Sequence, residues 1–127
     1  MWDALTSFAC PTAQSLGELV RAISQQEEPL IRYLYNKAGL ECDISAIRVQ
    51  PMIDGGMGSL RIGTCQADDQ HFGSCASECS FYDTDEIQVI ASLYFDQYGQ
   101  PFEIDVWKVD YSPLNSLPTL ADINSGQ

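Results

Sequence analysis

Two stretches of strict alternation near the C-terminus constrain the fold more than anything else in the chain. In "EIQVIASLYF", Ile87, Val89, Ala91, Leu93 and Phe95 recur at every second position, with Gln88, Ser92 and Asp96 among the residues of the opposite set. In "FEIDVWKVDY", Phe102, Ile104 and Val106 alternate with Glu103 and Asp105. A period of two is the signature of a strand with one face toward a core, and the intervening "DQYGQP" has turn composition, so the two form an antiparallel hairpin. The same alternation sends Trp107, Val109 and Tyr111 to the side of the carboxylates. That side is then either covered by the C-terminal tail, the simpler arrangement, or an exposed aromatic patch with an acidic rim.

The rest of the chain is read against this hairpin. "AIRVQPMI" alternates and reads as a strand whose Pro51 marks an edge or a bulge; "SLRIGTC" is its antiparallel mate, and "ASECSFYD" is a further strand. Upstream the period is helical. "SLGELVRAISQ" places Leu16, Leu19, Val20 and Ile23 on one stripe behind a capping box of Ser15 and Glu18. "EEPLIRYLYNKAGL" has acids and Pro29 at its start, an apolar stripe of Leu30, Ile31, Leu34 and Tyr35, Lys37 in the last turn and Gly39 as a stop. The expectation is an α+β fold: one domain over residues 1–127, two N-terminal helices within about 14–38, packed on an antiparallel sheet of four or five strands built from hairpins over about 46–110, and an irregular tail after 113.

Charge is uneven. Of 18 acids and 6 bases, seven acids and five bases lie in Met1–Thr64, while Cys65–Gln127 holds eleven acids and only Lys108, a net of −10 out of −12. Such a field repels nucleic acid and anionic membranes and attracts cationic partners. The N-terminus lacks a basic export-type region and no apolar run is long enough to span a membrane, so the expected location is cytoplasmic. Five cysteines at irregular spacing are expected to be reduced.

Signatures of chemistry are weak. "DGGMGSLRIG" puts four glycines in ten positions but has no Gly-Lys-Ser/Thr for a phosphate loop, and Arg61 stands where a dinucleotide fingerprint needs its third glycine. Asp54, Gly55, Gly56 and Gly58 are therefore read as a structural turn that uses positive φ or close backbone approach. Cys65, His71, Cys75 and Cys79 are zinc-type donors, but their gaps of five, three and three residues are not the paired two-residue gaps of zinc ribbons. Neither metal nor cofactor is expected. An alternative reading is a small hydrolase or metal-dependent enzyme using carboxylate pairs or Cys65 with His71. A third is self-association through the strand edge near Pro51.

"DGGMGSLRI" (Asp54–Ile62) and "FEIDVWKVDYSPL" (Phe102–Leu114) resemble the two signatures of a family of small, mostly bacterial domains of unknown function, with Ile104 and Tyr111 standing for that pattern's leucine and phenylalanine. The family is similar in size and acidity to immunity proteins encoded beside bacterial contact-dependent growth inhibition toxins. The resemblance and the charge together imply a non-enzymatic antitoxin that occludes a basic toxin domain, in all expectation a nuclease, and takes no small-molecule substrate. The contacts expected for it are Asp83, Asp85, Glu86, Asp96, Glu103 and Asp105, with Tyr98 and Trp107 as anchors.

Overall fold

A computed structural model describes residues 20–41, 43–53, 55–63 and 70–123. Among them one α-helix and six strands are found, all strand pairings being antiparallel. The strands are β1 (Arg21–Ala22), β2 (Arg48–Pro51), β3 (Leu60–Ile62), β4 (Phe72–Tyr82), β5 (Gln88–Asp96) and β6 (Pro101–Lys108), in the sheet order β1-β2-β3-β6-β5-β4. The helix α1 is Glu28–Lys37. This mostly β architecture replaces the expected two helices on four or five strands.

The correction has a local cause. Arg21 and Ala22, which helical spacing assigned to the first helix, pair instead with Val49 and Arg48. The residues of that helix before 20 lie outside the described residues. The chain leaves β1 at Ser24, whose Oγ accepts the Glu27 N–H at 3.2 Å while Glu27 Oε1 accepts the Ser24 N–H at 2.8 Å. Glu27 also holds Arg21 with two bonds, at 2.9 and 2.8 Å. This reciprocal Ser-x-x-Glu pair stops the strand and starts the only α-helix of the described residues. Pro29 and Glu28 suit its first turn, Lys37 its last, and Gly39 leaves it at φ +79°.

The helix lays Leu30, Ile31, Leu34 and Tyr35 on one face of the sheet. Their partners there are Val49, Leu60, Ile62, Cys79, Phe81, Val89, Ala91, Leu93, Ile104 and Val106, all buried. Each fully buried aliphatic or aromatic side chain stabilises the fold by roughly 1.5–3 kcal/mol. The inner positions of β5 and β6 are those that alternation gave: Ala91 lies opposite Val106 and Leu93 opposite Ile104. The strand expected over "ASECSFYD" extends further upstream: the stretch Phe72–Cys75 also belongs to β4, which carries register shifts between Phe72 and Ser74 and between Cys75 and Ser77.

One glycine in that stretch is required by contact. A Cβ on Gly73 would lie 2.1 Å from the Asp96 carbonyl oxygen, a backbone atom that cannot swing aside. Gly73→Ala is therefore expected to lower unfolding free energy by about 1–3 kcal/mol, measured by urea denaturation, whereas a change below about 0.5 kcal/mol contradicts the close approach.

Candidate functional site

The two glycine-rich and Trp-Lys segments, some fifty residues apart in sequence, meet at one end of the sheet. The Ser59 hydroxyl oxygen accepts the Val106 N–H at 2.9 Å, the Lys108 N–H donates to Met57 Sδ at 3.3 Å, and the Leu114 N–H donates to the Gly56 carbonyl at 3.0 Å. Gly56, at φ +84°, admits the tail: a Cβ there would press on Pro113 Cβ at 3.2 Å. Gly55, Gly56 and Gly58 all have positive φ, as the turn reading requires, and Asp54 lies outside the described residues. These glycines thus serve the turn and the docking of the tail, whose Leu114 and Leu117 pack against the core.

Lys108 ties the junction together. It occupies the last inward position of β6, opposite Val89, and its side chain is 1% exposed. Its ammonium donates to Asp83 Oδ2 at 2.8 Å, Asp85 Oδ2 at 2.6 Å and the Pro113 carbonyl at 3.3 Å. Asp83 accepts, in addition, the N–H groups of Thr84, Asn115 and Ser116 at 2.7, 2.7 and 3.1 Å. Burial pushes the Asp83 carboxyl up, but the Asn115 amide, the Lys108 ammonium and the Thr84 amide outweigh it and hold it below the usual carboxylate range. For Lys108, burial pushes the ammonium down, and the bonds to Asp83 and Asp85 outweigh that and hold it above its ordinary value.

The expected contact residues are therefore dispersed. Asp83 is buried within this cluster and holds the tail, while Asp85, on its exposed side, bonds Lys108. Asp96, also buried, caps the β5–β6 turn by accepting the Tyr98 and Gln100 N–H groups at 2.8 and 2.9 Å and Gln70 Nε2 at 2.8 Å. Burial pushes its carboxyl up and those bonds bring it below the usual range. Tyr98, exposed in that turn, stands at the opposite end of β5 from Asp85 and Glu86, roughly 26 Å away at the rise of a strand. Neither Asp83 nor Asp96 is available to a partner.

What remains is the sheet face opposite α1. The register aligns Glu78 with Ser92 and Ser92 with Asp105, Tyr94 with Glu103 and Glu103 with Arg61, and Ile90 with Trp107. Three acids, Glu78, Glu103 and Asp105, thus share one face with Ile90, Tyr94 and Trp107. Ser92 Oγ donates to Glu78 Oε2 at 3.0 Å, while Ser59 Oγ lies 3.4 Å from Asp105 Oδ1. Burial raises the Glu103 carboxyl, Arg61 offsets part of that, and Asp105 adds to it. Phe72 meets Tyr94 edge-on at 5.1 Å between ring centroids. Trp107 is half-buried; its Nε1 is shut from solvent with no hydrogen-bond partner, and its ring lies 6.0 Å from that of Tyr111 at 56°. The tail turns Leu114 and Leu117 to the core. Glu78 was missed because the edge position of β4 was not legible; its alternation with Cys79 was the available signal.

Among the described residues no three His, Cys, Asp or Glu side chains come together as metal ligands. Cys10, Cys42 and Cys65 lie outside the described residues. Cys79 is buried in the core and Cys75 is exposed, so the two do not share a site. Burial pushes the Cys79 thiol up to about 11, and burial followed by Glu78 also raises Cys75, opposite to the shift of an activated nucleophile. Among the described residues no helix is long and apolar enough to cross a membrane.

A family model described as Domain of unknown function (DUF6984) matches residues 20–118, a span that contains both motif segments. No curated protein and no solved structure matches the chain.

The junction gives a pH signature. Asp83 has a depressed folded value, so its contribution is complete above the ordinary value of 3.8 and fades as pH falls through the folded one. Lys108 has a raised value, so its contribution is complete below 10.5 and fades as pH rises through the folded one. The stability gap between the wild type and Asp83→Asn is expected to be widest between those limits and to close in acid, measured by urea denaturation across pH; a gap independent of pH contradicts the assignment. Lys108→Met, which leaves Asp83 buried and unpaired, is expected to lower Tm by on the order of 10 °C in calorimetry.

Proposed function

We propose, on the premise that the chain belongs to the DUF6984 family of domains of unknown function, that it is a binding protein of the immunity type, which neutralises a basic toxin domain by covering it with an acidic sheet face. The single observation that supports this reading is the gathering of Glu78, Glu103 and Asp105 with Ile90, Tyr94 and Trp107 on the face turned away from α1. The charge balance adds to it. The C-terminal half has one cation, and that cation is spent inside the molecule on Asp83 and Asp85. The outward carboxylates of that half are left without a cation of their own half to neutralise them.

An acidic face with apolar centres fits a protein partner better than it fits a phosphate-bearing one, which it repels. A nuclease domain is cationic where it holds its polyanionic substrate, and carboxylates spaced along strands can occupy the same positions. Electrostatic attraction then speeds encounter, and the aromatic side chains slow dissociation. The docking set drawn from the sequence is narrowed accordingly to Glu103, Asp105 and Trp107, joined by Glu78 and Tyr94, with Glu86 and Tyr98 at the two ends of the sheet.

The test first reads the neighbouring gene, expected to encode a polypeptide with a basic C-terminal domain, and then uses that domain as the partner. The purified pair is expected to form a complex whose association rate falls about tenfold or more between low and high salt, with Glu103→Lys and Asp105→Lys slowing association and Glu28→Lys on the helix leaving it unchanged. An absent complex, or an association rate indifferent to salt, contradicts the proposal.

A further inference from the structure

The geometry points to the Trp107–Tyr111 pair as the seat of an arginine side chain presented by the partner, a conclusion that rests on the binding function proposed above. Tyr111 is the first observation. It is 71% exposed and adopts φ +66°, a conformation that a bulky residue rarely takes and that costs free energy. Its N–H donates to the Lys108 carbonyl at 2.8 Å, and the chain just beyond it is pinned by Pro113 on Lys108 and by Leu114 on Gly56. The ring is thus held outward by a rigid junction, and core burial gives no reason for it to be an aromatic one.

The second observation is the company it keeps. The Trp107 ring lies 6.0 Å away at 56°, so the two faces are neither stacked on nor closed against each other. Asp105 precedes Trp107 by two residues on the same face, about 7 Å along the strand. Asp110 adjoins Tyr111 and is exposed, its carboxylate turned to the Ser112 N–H and hydroxyl. Among the described residues the cation–π contacts are Arg61 over Phe102 at 4.7 Å and Lys37 over Tyr33 at 5.8 Å. The Trp107–Tyr111 pair is not among them.

Two tilted aromatic rings beside carboxylates suit a flat, weakly hydrated guanidinium better than an ammonium, because the guanidinium stacks on a ring while keeping its edge donors for the acids. The chemistry selects arginine over lysine, whereas the acidic face by itself distinguishes neither.

The experiment titrates labelled hexa-arginine and hexa-lysine into the full chain at low ionic strength and reads fluorescence anisotropy. Hexa-arginine is expected to bind about fivefold more tightly than hexa-lysine. Tyr111→Asn, whose new side chain tolerates positive φ and which is checked for an unchanged Tm, is expected to abolish that preference while leaving hexa-lysine binding intact. Glu103→Gln with Asp105→Asn is expected to weaken both peptides alike. Equal affinity for the two peptides, or a preference that survives Tyr111→Asn, overturns the arginine assignment while leaving the acidic face in place. Failure of both peptides to bind, or indifference of both to the carboxylate substitutions, overturns the acidic face as well.

Discussion

The buried ammonium of Lys108 is the constraint on which the rest depends. An ammonium on the inner side of a sheet is tolerable only with each of its donors used, and here two carboxylates and a main-chain carbonyl take them. The carboxylate that carries most of this, Asp83, is itself saturated by main-chain N–H groups from its own turn and from the tail. One ion pair therefore fixes three segments at once: the β4–β5 turn, the end of β6 and the tail through Ser116. The glycine loop closes the same junction from the other side, with Gly56 supplying both the space and the carbonyl that the tail needs. The glycine-rich segment and the Trp-Lys segment are two halves of one joint.

That joint also divides the acids into two kinds. Asp83 and Asp96 hold turns and tail together and are hidden. Glu78, Glu103 and Asp105 stand on the open face, where the register sets Glu78 of β4 and the two acids of β6 on either side of β5. Net charge counts both kinds alike, but only the second can reach a partner. Burying Lys108 withdraws the one cation of the C-terminal half from the surface, so that Arg61, opposite Glu103, is the cation that the register places on this face.

The central hairpin was legible because alternation in "EIQVIASLYF" and "FEIDVWKVDY" is long and regular, and burial on one face leaves little freedom of register. The first helix was expected to run through Arg21 and Ala22 because an apolar pattern of period 3.6 continues to Ile23, while the Ser-x-x-Glu signal of Ser24 and Glu27, with its bonds formed, marks the helix start among the described residues. A short strand such as Arg21–Ala22 has no periodicity to read and exists through its pairing with β2. Carboxylates near turns usually face outward; Asp83 and Asp96 are turned inward by a supply of N–H donors from residues close by and, for Asp83, far along the chain. Lys108 was within reach of sequence reasoning, since the alternation that places Val106 inward places Lys108 inward too, and a buried lysine requires a carboxylate. Nothing in the spacing of residues gives φ +66° at Tyr111.

The claim that most needs testing is that the outward acids of the sheet form the docking face. Backbone amide chemical-shift mapping by NMR, with a basic toxin domain of the kind proposed as partner titrated into labelled protein, addresses it directly. The largest shifts are expected at Glu78, Ser92, Tyr94, Glu103, Asp105, Trp107 and Tyr111, with α1 unaffected. Shifts centred on Glu28–Lys37, or spread evenly over the molecule, would contradict the account.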